Sequence, residues 1–268
     1  MATSGTLSDP GLGTTHRIEL IPVLSDNYVI VLHDGREAAV VDPAVGEPVA
    51  HWLQEHDLNL VAVLQTHHHS DHIGGTPFLL RRWPGASVVA SREDRQRIPF
   101  QTIGVSGGDR LDLLGRPVEV IEVPGHTRAH LAYFLPAPED EGAPGWNPAG
   151  AGELFCGDTL FAAGCGRLFE GSPAQMEGSL QHLAALPEET RVWCAHEYTE
   201  ANLRWASRQA PDDDAITARL REVRDTRRQG RPTIPSTIAQ EKATNLFLRT
   251  QDAEAFAALR QSKDHWRP

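Results

Sequence analysis

Apolar residues recur along this chain with two different periods, and the change from one to the other divides it. Val29-Ile30-Val31-Leu32 and Ala38-Ala39-Val40-Val41 are short apolar runs on either side of Asp34-Gly35, a pattern that predicts a hairpin with an Asp-Gly turn. The runs at 60–65, 118–123, 153–157 and 191–195 predict further strands, and amphipathic stretches at 47–56, 73–83 and 173–186 predict helices between them. From residue 199 the strand signal stops. Segments 199–209, 212–229, 237–249 and 252–262 each predict a helix, with acidic capping from Asp212-Asp213-Asp214, a stop at Gly230 and a capping box from Thr237 to Gln240. These helices carry too little apolar surface to fold alone, so they are expected to rest against the strand-rich part. The chain therefore divides into a polar, Gly-rich tail (1–15), an α/β unit (16–196) and a helical unit (197–268), with a Pro/Gly-rich loop at 136–152.

The chemistry is concentrated behind one strand. Thr66-His67-His68-His69-Ser70-Asp71-His72 follows the apolar run 60–64 directly and places four histidines and an aspartate in seven residues. Imidazole and carboxylate together suit zinc, iron or manganese. If 60–65 is a strand that continues in the same sense, His67 and His69 point the same way, while Asp71 and His72 open the next helix. A surface histidine cluster or tag-like tract would not fall between a strand pattern and a helix pattern. Three more apolar runs end on a ligand-type residue: 118–123 leads to His126, 153–157 to Asp158, and 191–195 to His196. Each alone reads as a capping or packing residue. Jointly they match the strand-end placement of active sites in α/β proteins.

With these residues in place, the chain resembles the metallo-β-lactamase superfamily, and within it the glyoxalase II (hydroxyacylglutathione hydrolase) family. The resemblance rests on 66–72, on Pro124-Gly125-His126-Thr127, on Gly157-Asp158-Thr159-Leu160-Phe161, on Gly164-Cys165-Gly166-Arg167-Leu168-Phe169-Glu170-Gly171 and on His196-Glu197-Tyr198-Thr199. It begins near His16, includes Leu24-Ser25-Asp26-Asn27-Tyr28, and runs to Lys263-Asp264. It implies an αββα sandwich with a C-terminal helical domain. It also implies two divalent metal ions, one held by His67, His69 and His126 and the other by Asp71, His72 and His196, with Asp158 and a hydroxide bridging them. Asp71 and Asp158 are then the catalytic carboxylates. The implied reaction is hydrolysis of S-D-lactoylglutathione, or another hydroxyacylglutathione, to the acid and glutathione. Arg167, Tyr198, Arg260 and Lys263 are the implied glutathione contacts. Arg167 stands where many relatives have Lys, and Phe169 where a Tyr often donates a hydrogen bond, so altered affinity is expected and lost chemistry is not.

His68 alternates with its neighbours and is expected to point away from the metals. His130, four residues past His126, is expected to support the site from behind, as metal-bound imidazoles require. No GxSxG nucleophile motif occurs, and Ser70 reads as a turn residue.

Composition changes this picture little. The three cysteines, Cys156, Cys165 and Cys194, form no CxxC, and the absence of a secretory signal pattern predicts free thiols and a cytoplasmic location. No apolar run approaches the roughly 20 residues of a membrane span. A net charge of −11 disfavours nucleic acid. Monomer and homodimer are equally compatible with the pattern. Two alternatives remain: a mononuclear-iron glutathione persulfide dioxygenase, disfavoured by the complete second ligand set, and a non-catalytic member of the fold, disfavoured because no ligand is missing.

Overall fold

The computed structural model describes residues 16–138 and 150–267; the tail at 1–15 and most of the 136–152 loop lie outside the described residues. Two six-stranded sheets face each other. The first has the order β1 (Arg17–Val23), β2 (Asn27–His33), β3 (Glu37–Val41), β4 (Asn59–Leu64), β5 (Ser87–Ser91), β6 (Ile103–Val105). Its first three strands are antiparallel, with Asp34-Gly35 at the β2–β3 turn as the apolar runs predict, and the rest are parallel. The second comprises β7 (Arg110–Leu113), β8 (Arg116–Glu122), β9 (Leu131–Leu135), β10 (Glu153–Gly157), β13 (Arg191–Cys194) and β14 (Ser236–Thr237), with β7 and β14 at its edges. A small hairpin, β11 (Leu160–Phe161) with β12 (Gly164–Cys165), lies between β10 and β13 in sequence.

Alternation along each strand explains the layering. In β2, Ile30 and Leu32 point into the seam between the sheets, where they meet Val118, Val120, Leu131, Tyr133 and Phe155. Val29 and Val31 point outward, under α1 (Gly46–Glu55) and the later helix at Thr76–Arg82, through Val49, Leu53 and Leu79. The second sheet is covered by α4 (Pro173–Ala184) and the C-terminal helices through Met176, Leu180, Leu183, Leu203, Trp205, Phe247 and Phe256. This is the expected αββα sandwich.

The helix predicted at 237–249 ends at Thr244 and is followed by a separate 3-10 turn over Leu246–Arg249, and two further expectations need correction. The helix predicted at 73–83 is two helices, α2 (Ser70–Ile73) and α3 (Thr76–Arg82). The break falls at Gly74-Gly75, where a Cβ on Gly75 would lie 2.5 Å from the Pro43 carbonyl oxygen and the chain presses against the loop after β3. The second concerns the helical unit, which was expected to contain no strand. Beyond α5 (Thr199–Gln209) and α6 (Asp214–Arg228), Ser236-Thr237 pairs with Arg191-Val192 as β14 before α7 (Ile238–Thr244) and α8 (Ala253–His265). Asp213 caps α6 as the sequence pattern predicts, and Thr237 caps α7 through Gln240 N–H, one half of the expected capping box. No helix among the described residues is long and apolar enough to cross a membrane.

Candidate metal centre

All seven expected ligands meet at one end of the sandwich. β4 stops at Leu64, so His67 and His69 converge through an irregular turn and not by strand alternation. His67 presents Nε2 and His69 Nδ1, 3.0 Å apart, and His126 Nε2, arriving after β8, is 3.0 Å from the same His69 nitrogen. Asp71 and His72 come from α2, and His196 follows β13. Asp71 Oδ2 lies 3.6 Å from Nε2 of both His72 and His196. Asp158, directly after β10, stands between the two groups. Its Oδ1 is 3.4 Å from His72 Nε2 and 3.3 Å from His196 Nε2, while its Oδ2 is 3.5 Å from His126 Nε2.

Four of the five ligand imidazoles are fixed from behind. His72 Nδ1 donates to Asp42 (3.0 Å), His196 Nδ1 to Asp26 (2.8 Å) and His126 Nδ1 to the Arg167 carbonyl (2.9 Å). Thr66 spends its proton on Asp42 (2.5 Å), which leaves its oxygen to accept from His67 Nδ1 (3.0 Å). Those four histidines therefore turn Nε2 toward the centre. Burial works against charge on His72 and His196, but the Asp158 carboxylate outweighs it and raises the pKa of both, so a cation arriving there displaces a proton from each. His130, buried and stacked on His67 with centroids 4.6 Å apart, donates to the Leu131 carbonyl and accepts the Asp158 N–H. His68 faces the other way, toward Asp94 and Arg97. Both behave as expected for supporting groups.

The donor set fits two cations. A tetrahedral ion with bonds of about 2.0–2.1 Å sets its donors roughly 3.3 Å apart, close to the separations in each group. His72 Nε2 and Asp158 Oδ1 are buried without a hydrogen-bond partner, a cost that a bound cation removes. Burial holds the pKa of His67 well below the ordinary value and that of His69 at about 4, so their lone pairs are available at neutral pH. Burial disfavours charge on Asp158 as well, but His72 and His196 outweigh it and keep the carboxylate ionised. A third possible trio, Asp42 with His67 and His72, is already committed to the hydrogen bonds just described.

Comparison with known proteins decides the family. The model of the metallo-β-lactamase superfamily matches residues 20–139, and that of the hydroxyacylglutathione hydrolase C-terminus matches 197–266. A hydroxyacylglutathione hydrolase from Synechococcus sp. (strain WH7803) is 59% identical over 248 residues, spanning 92% of this chain and 94% of that one. The chain belongs to the hydroxyacylglutathione hydrolase family. It is thus a metallo-hydrolase of a family that uses two divalent ions, and its centre has the residues to hold them. Among solved structures, ETHE1 from Myxococcus xanthus superposes with a TM-score of 0.67 at 27% identity, covering 94% of this chain and 92% of that one. TTHA1623, solved in a di-iron-bound form, gives 0.51 at 26% identity over 67% of this chain and 91% of its own.

In this hydrolase a cavity of about 810 Å³ opens from the centre toward the helical unit. The four expected substrate contacts, Arg167, Tyr198, Arg260 and Lys263, all line it, as do Ser70 and Cys165. Arg260 is buried and committed to the Cys165 carbonyl and Asp264, whereas the Arg167 side chain is largely exposed. Tyr198 stacks on His196 at 4.7 Å with planes 6° apart. Lys263 lies against the faces of Trp205 (5.3 Å) and Trp266 (4.9 Å), and burial together with the Arg260 charge lowers its pKa to about 7. Phe169 is 63% exposed, its ring edge-on to His69 and His126.

Sequence reasoning missed Asp42, Asp26, Thr66 and the two tryptophans. Asp42 had a usable signal, because it directly follows β3 just as Asp158 directly follows β10. The tryptophans had none, since an indole at helical spacing reads as core.

Proposed function

We propose that the enzyme hydrolyses the thioester of S-D-lactoylglutathione, or of a related hydroxyacylglutathione, to the hydroxy acid and glutathione. The observation that carries this reading is a cavity with two joined ligand groups at one end and four cations, Arg167, Arg260, Lys263 and Arg267, along its wall. When bound, the two ions supply Lewis acidity for the carbonyl oxygen and bring the pKa of a water toward about 7. The chain does the rest. Lys263 and Arg167 pair with the carboxylates of the glutathione moiety, charge-assisted contacts that place the thioester over Asp158, and Arg260, held by Asp264 and the Cys165 carbonyl, adds its charge to the same wall. Asp71, held by the Asn27 amide at 3.4 Å and partly open to the cavity, is placed to hold a proton of the attacking water. The departing thiolate, with an ordinary pKa of about 8.5, needs no strong acid to leave. Residues 16–196 then form the catalytic unit and 197–268 the substrate-binding unit. A cytoplasmic setting agrees with three buried, unpaired thiols.

The reading is tested by following loss of the thioester absorbance of S-D-lactoylglutathione with metal-loaded and chelated protein. Hydrolysis that chelation abolishes and added zinc, iron or manganese restores is expected. A fully loaded protein that leaves the thioester intact but consumes oxygen with glutathione persulfide would overturn it.

Lys263 makes the pH dependence specific. Its lowered pKa keeps it charged below about 7 and neutral above, so KM should climb as pH rises through that value. Lys263→Arg, charged throughout, should give a flat KM, and Lys263→Ala should raise KM roughly tenfold with a smaller change in kcat. A wild-type KM unchanged from pH 6 to 8.5 would remove Lys263 from the pocket's charge chemistry.

A further inference from the structure

One charged cluster lies outside the cavity yet touches three segments that shape it. Arg97 stands in the turn after β5. One edge of its guanidinium, Nε (2.9 Å) and Nη2, donates to Oδ1 of Asp94, which is 1% exposed. Nη1 donates to two further acceptors, His68 Nε2 at 3.2 Å and Glu170 Oε1 at 2.5 Å. His68 thereby carries its proton on Nδ1, facing Asp94 Oδ2 at 3.4 Å. The second oxygen of Glu170 accepts the Arg128 N–H at 2.9 Å. His68 lies between the ligands His67 and His69, Arg128 follows the ligand His126 by two residues, and Glu170 belongs to the loop that carries Arg167 and Phe169. That loop rests on the Gly125-His126 turn through Phe169 N–H to the His126 carbonyl (3.3 Å) and Gly171 N–H to the Gly125 carbonyl (3.0 Å). The pairing of Glu170 with Arg97, 73 positions away in sequence, adds a hold on the side of the first sheet.

From this arrangement we infer that Arg97 and Glu170 are positioning residues that clamp the loop at 165–171 against the turn holding His67 and His69, and so set where the substrate sits. The inference rests on the thioester reading above, in which Arg167 meets the substrate. Neither side chain of the clamp is among those lining the cavity, so neither touches substrate. What they place is two groups that do line it: Phe169, edge-on to His69, and Arg167, whose carbonyl accepts from His126 Nδ1. Between β12 and α4 the loop has no regular structure, and both side chains are largely exposed, so their own packing does little to hold them. A fully exposed ion pair would add little. Here the pair is only 28% and 23% exposed, and Asp94 already fixes the guanidinium, so little freedom is lost when Glu170 binds it. Displacing a substrate-positioning group by about 1 Å costs up to about 10²-fold. A loosened loop therefore weakens substrate placement while the metal ligands keep theirs.

The test compares zinc-loaded wild type, Glu170→Ala, Arg97→Met and the double variant. Glu170→Ala leaves Arg97 with Asp94 and so strands no buried charge. Zinc content is read by mass spectrometry of the folded protein, loop order by hydrogen exchange of the 165–171 segment, and turnover with S-D-lactoylglutathione. Glu170→Ala should keep the wild-type zinc content and exchange the loop amides about tenfold faster. Its KM should rise about tenfold with a smaller change in kcat. Because either change breaks the same clamp, the double variant should be no worse than Arg97→Met. Loop exchange in Glu170→Ala equal to that of wild type would overturn the clamp, whatever the substrate. Faster exchange with an unchanged KM would overturn the positioning role, and so would a higher KM that comes with loss of an ion. If Arg97→Met fails to fold, Glu170→Ala decides alone. A wild type that leaves the thioester intact would overturn the thioester reading, and loop exchange would still judge the clamp.

Discussion

Asp158→Asn is expected to lower kcat/KM by about 10³-fold, since several kcal/mol of metal-borne stabilisation is at stake and each 1.36 kcal/mol is a factor of ten. The same variant should retain less than one tightly bound ion per chain and an unchanged circular dichroism spectrum. Among the described residues Asp158 alone faces both groups, Oδ1 toward His72 and His196 and Oδ2 toward His126. Asparagine keeps the shape but removes the charge, and it replaces one of the two acceptor oxygens with a donor nitrogen. Two cations held a few ångströms apart then lack the anion that offsets their repulsion. The fold should survive, because the backbone bond from Asp158 N–H to His130 and the strand before it do not involve the carboxylate. Full occupancy together with wild-type turnover would sink the bridging role.

The second large effect concerns stability. Glu241→Ala is expected to cost about 3–5 kcal/mol. For a chain of this size that corresponds to a drop of about 10 °C in Tm. Glu241 is fully buried on α7 and pairs with Arg219 on α6 at 2.7 Å. Its other oxygen accepts from Ala163 N–H (2.7 Å) and the Asn245 amide (3.0 Å). Truncation leaves a guanidinium buried beside Thr244 with no carboxylate and the Ala163 N–H unmatched, while the Asn245 amide keeps the Phe161 and Gly164 carbonyls. Arg219→Met combined with Glu241→Leu should recover part of the loss, because removing both charges avoids the stranded one. A fall of under 2 °C for Glu241→Ala in a calorimetric scan would show the pair to be dispensable. Ala163 sits in the turn of the β11–β12 hairpin, next to Cys165 and the cavity wall. The single variant should therefore also raise KM.

The sequence made the centre legible because metal chemistry restricts residue type so strongly. Few other demands place His67, His69, Asp71 and His72 together at the end of an apolar run, and His126, Asp158 and His196 repeat the strand-end position. The supports were harder to see, since Asp42, Asp26 and Thr66 are ordinary turn residues until folding places them behind an imidazole. The fold was legible where periodicity is local. It failed at Gly74-Gly75, where a tight approach to the loop after β3 outweighed the helical pattern of the flanking residues. It failed again at β14, because two residues cannot display a period and the pairing with β13 is long-range. The Lys263 environment was illegible for the same reason: Trp205 and Trp266 lie 61 positions apart and meet only through the packing of α5 and α8.

Ser236 and Thr237 carry a consequence larger than their length. By pairing with Arg191 and Val192 they cover the flank of β13, and a two-residue border offers little template to another chain. A protein cut after His196 would lose its substrate wall and would also expose the β13 flank along an apolar strand. Such a fragment would be drawn toward self-association, so the helical segment protects the solubility of the sandwich as well as completing its pocket.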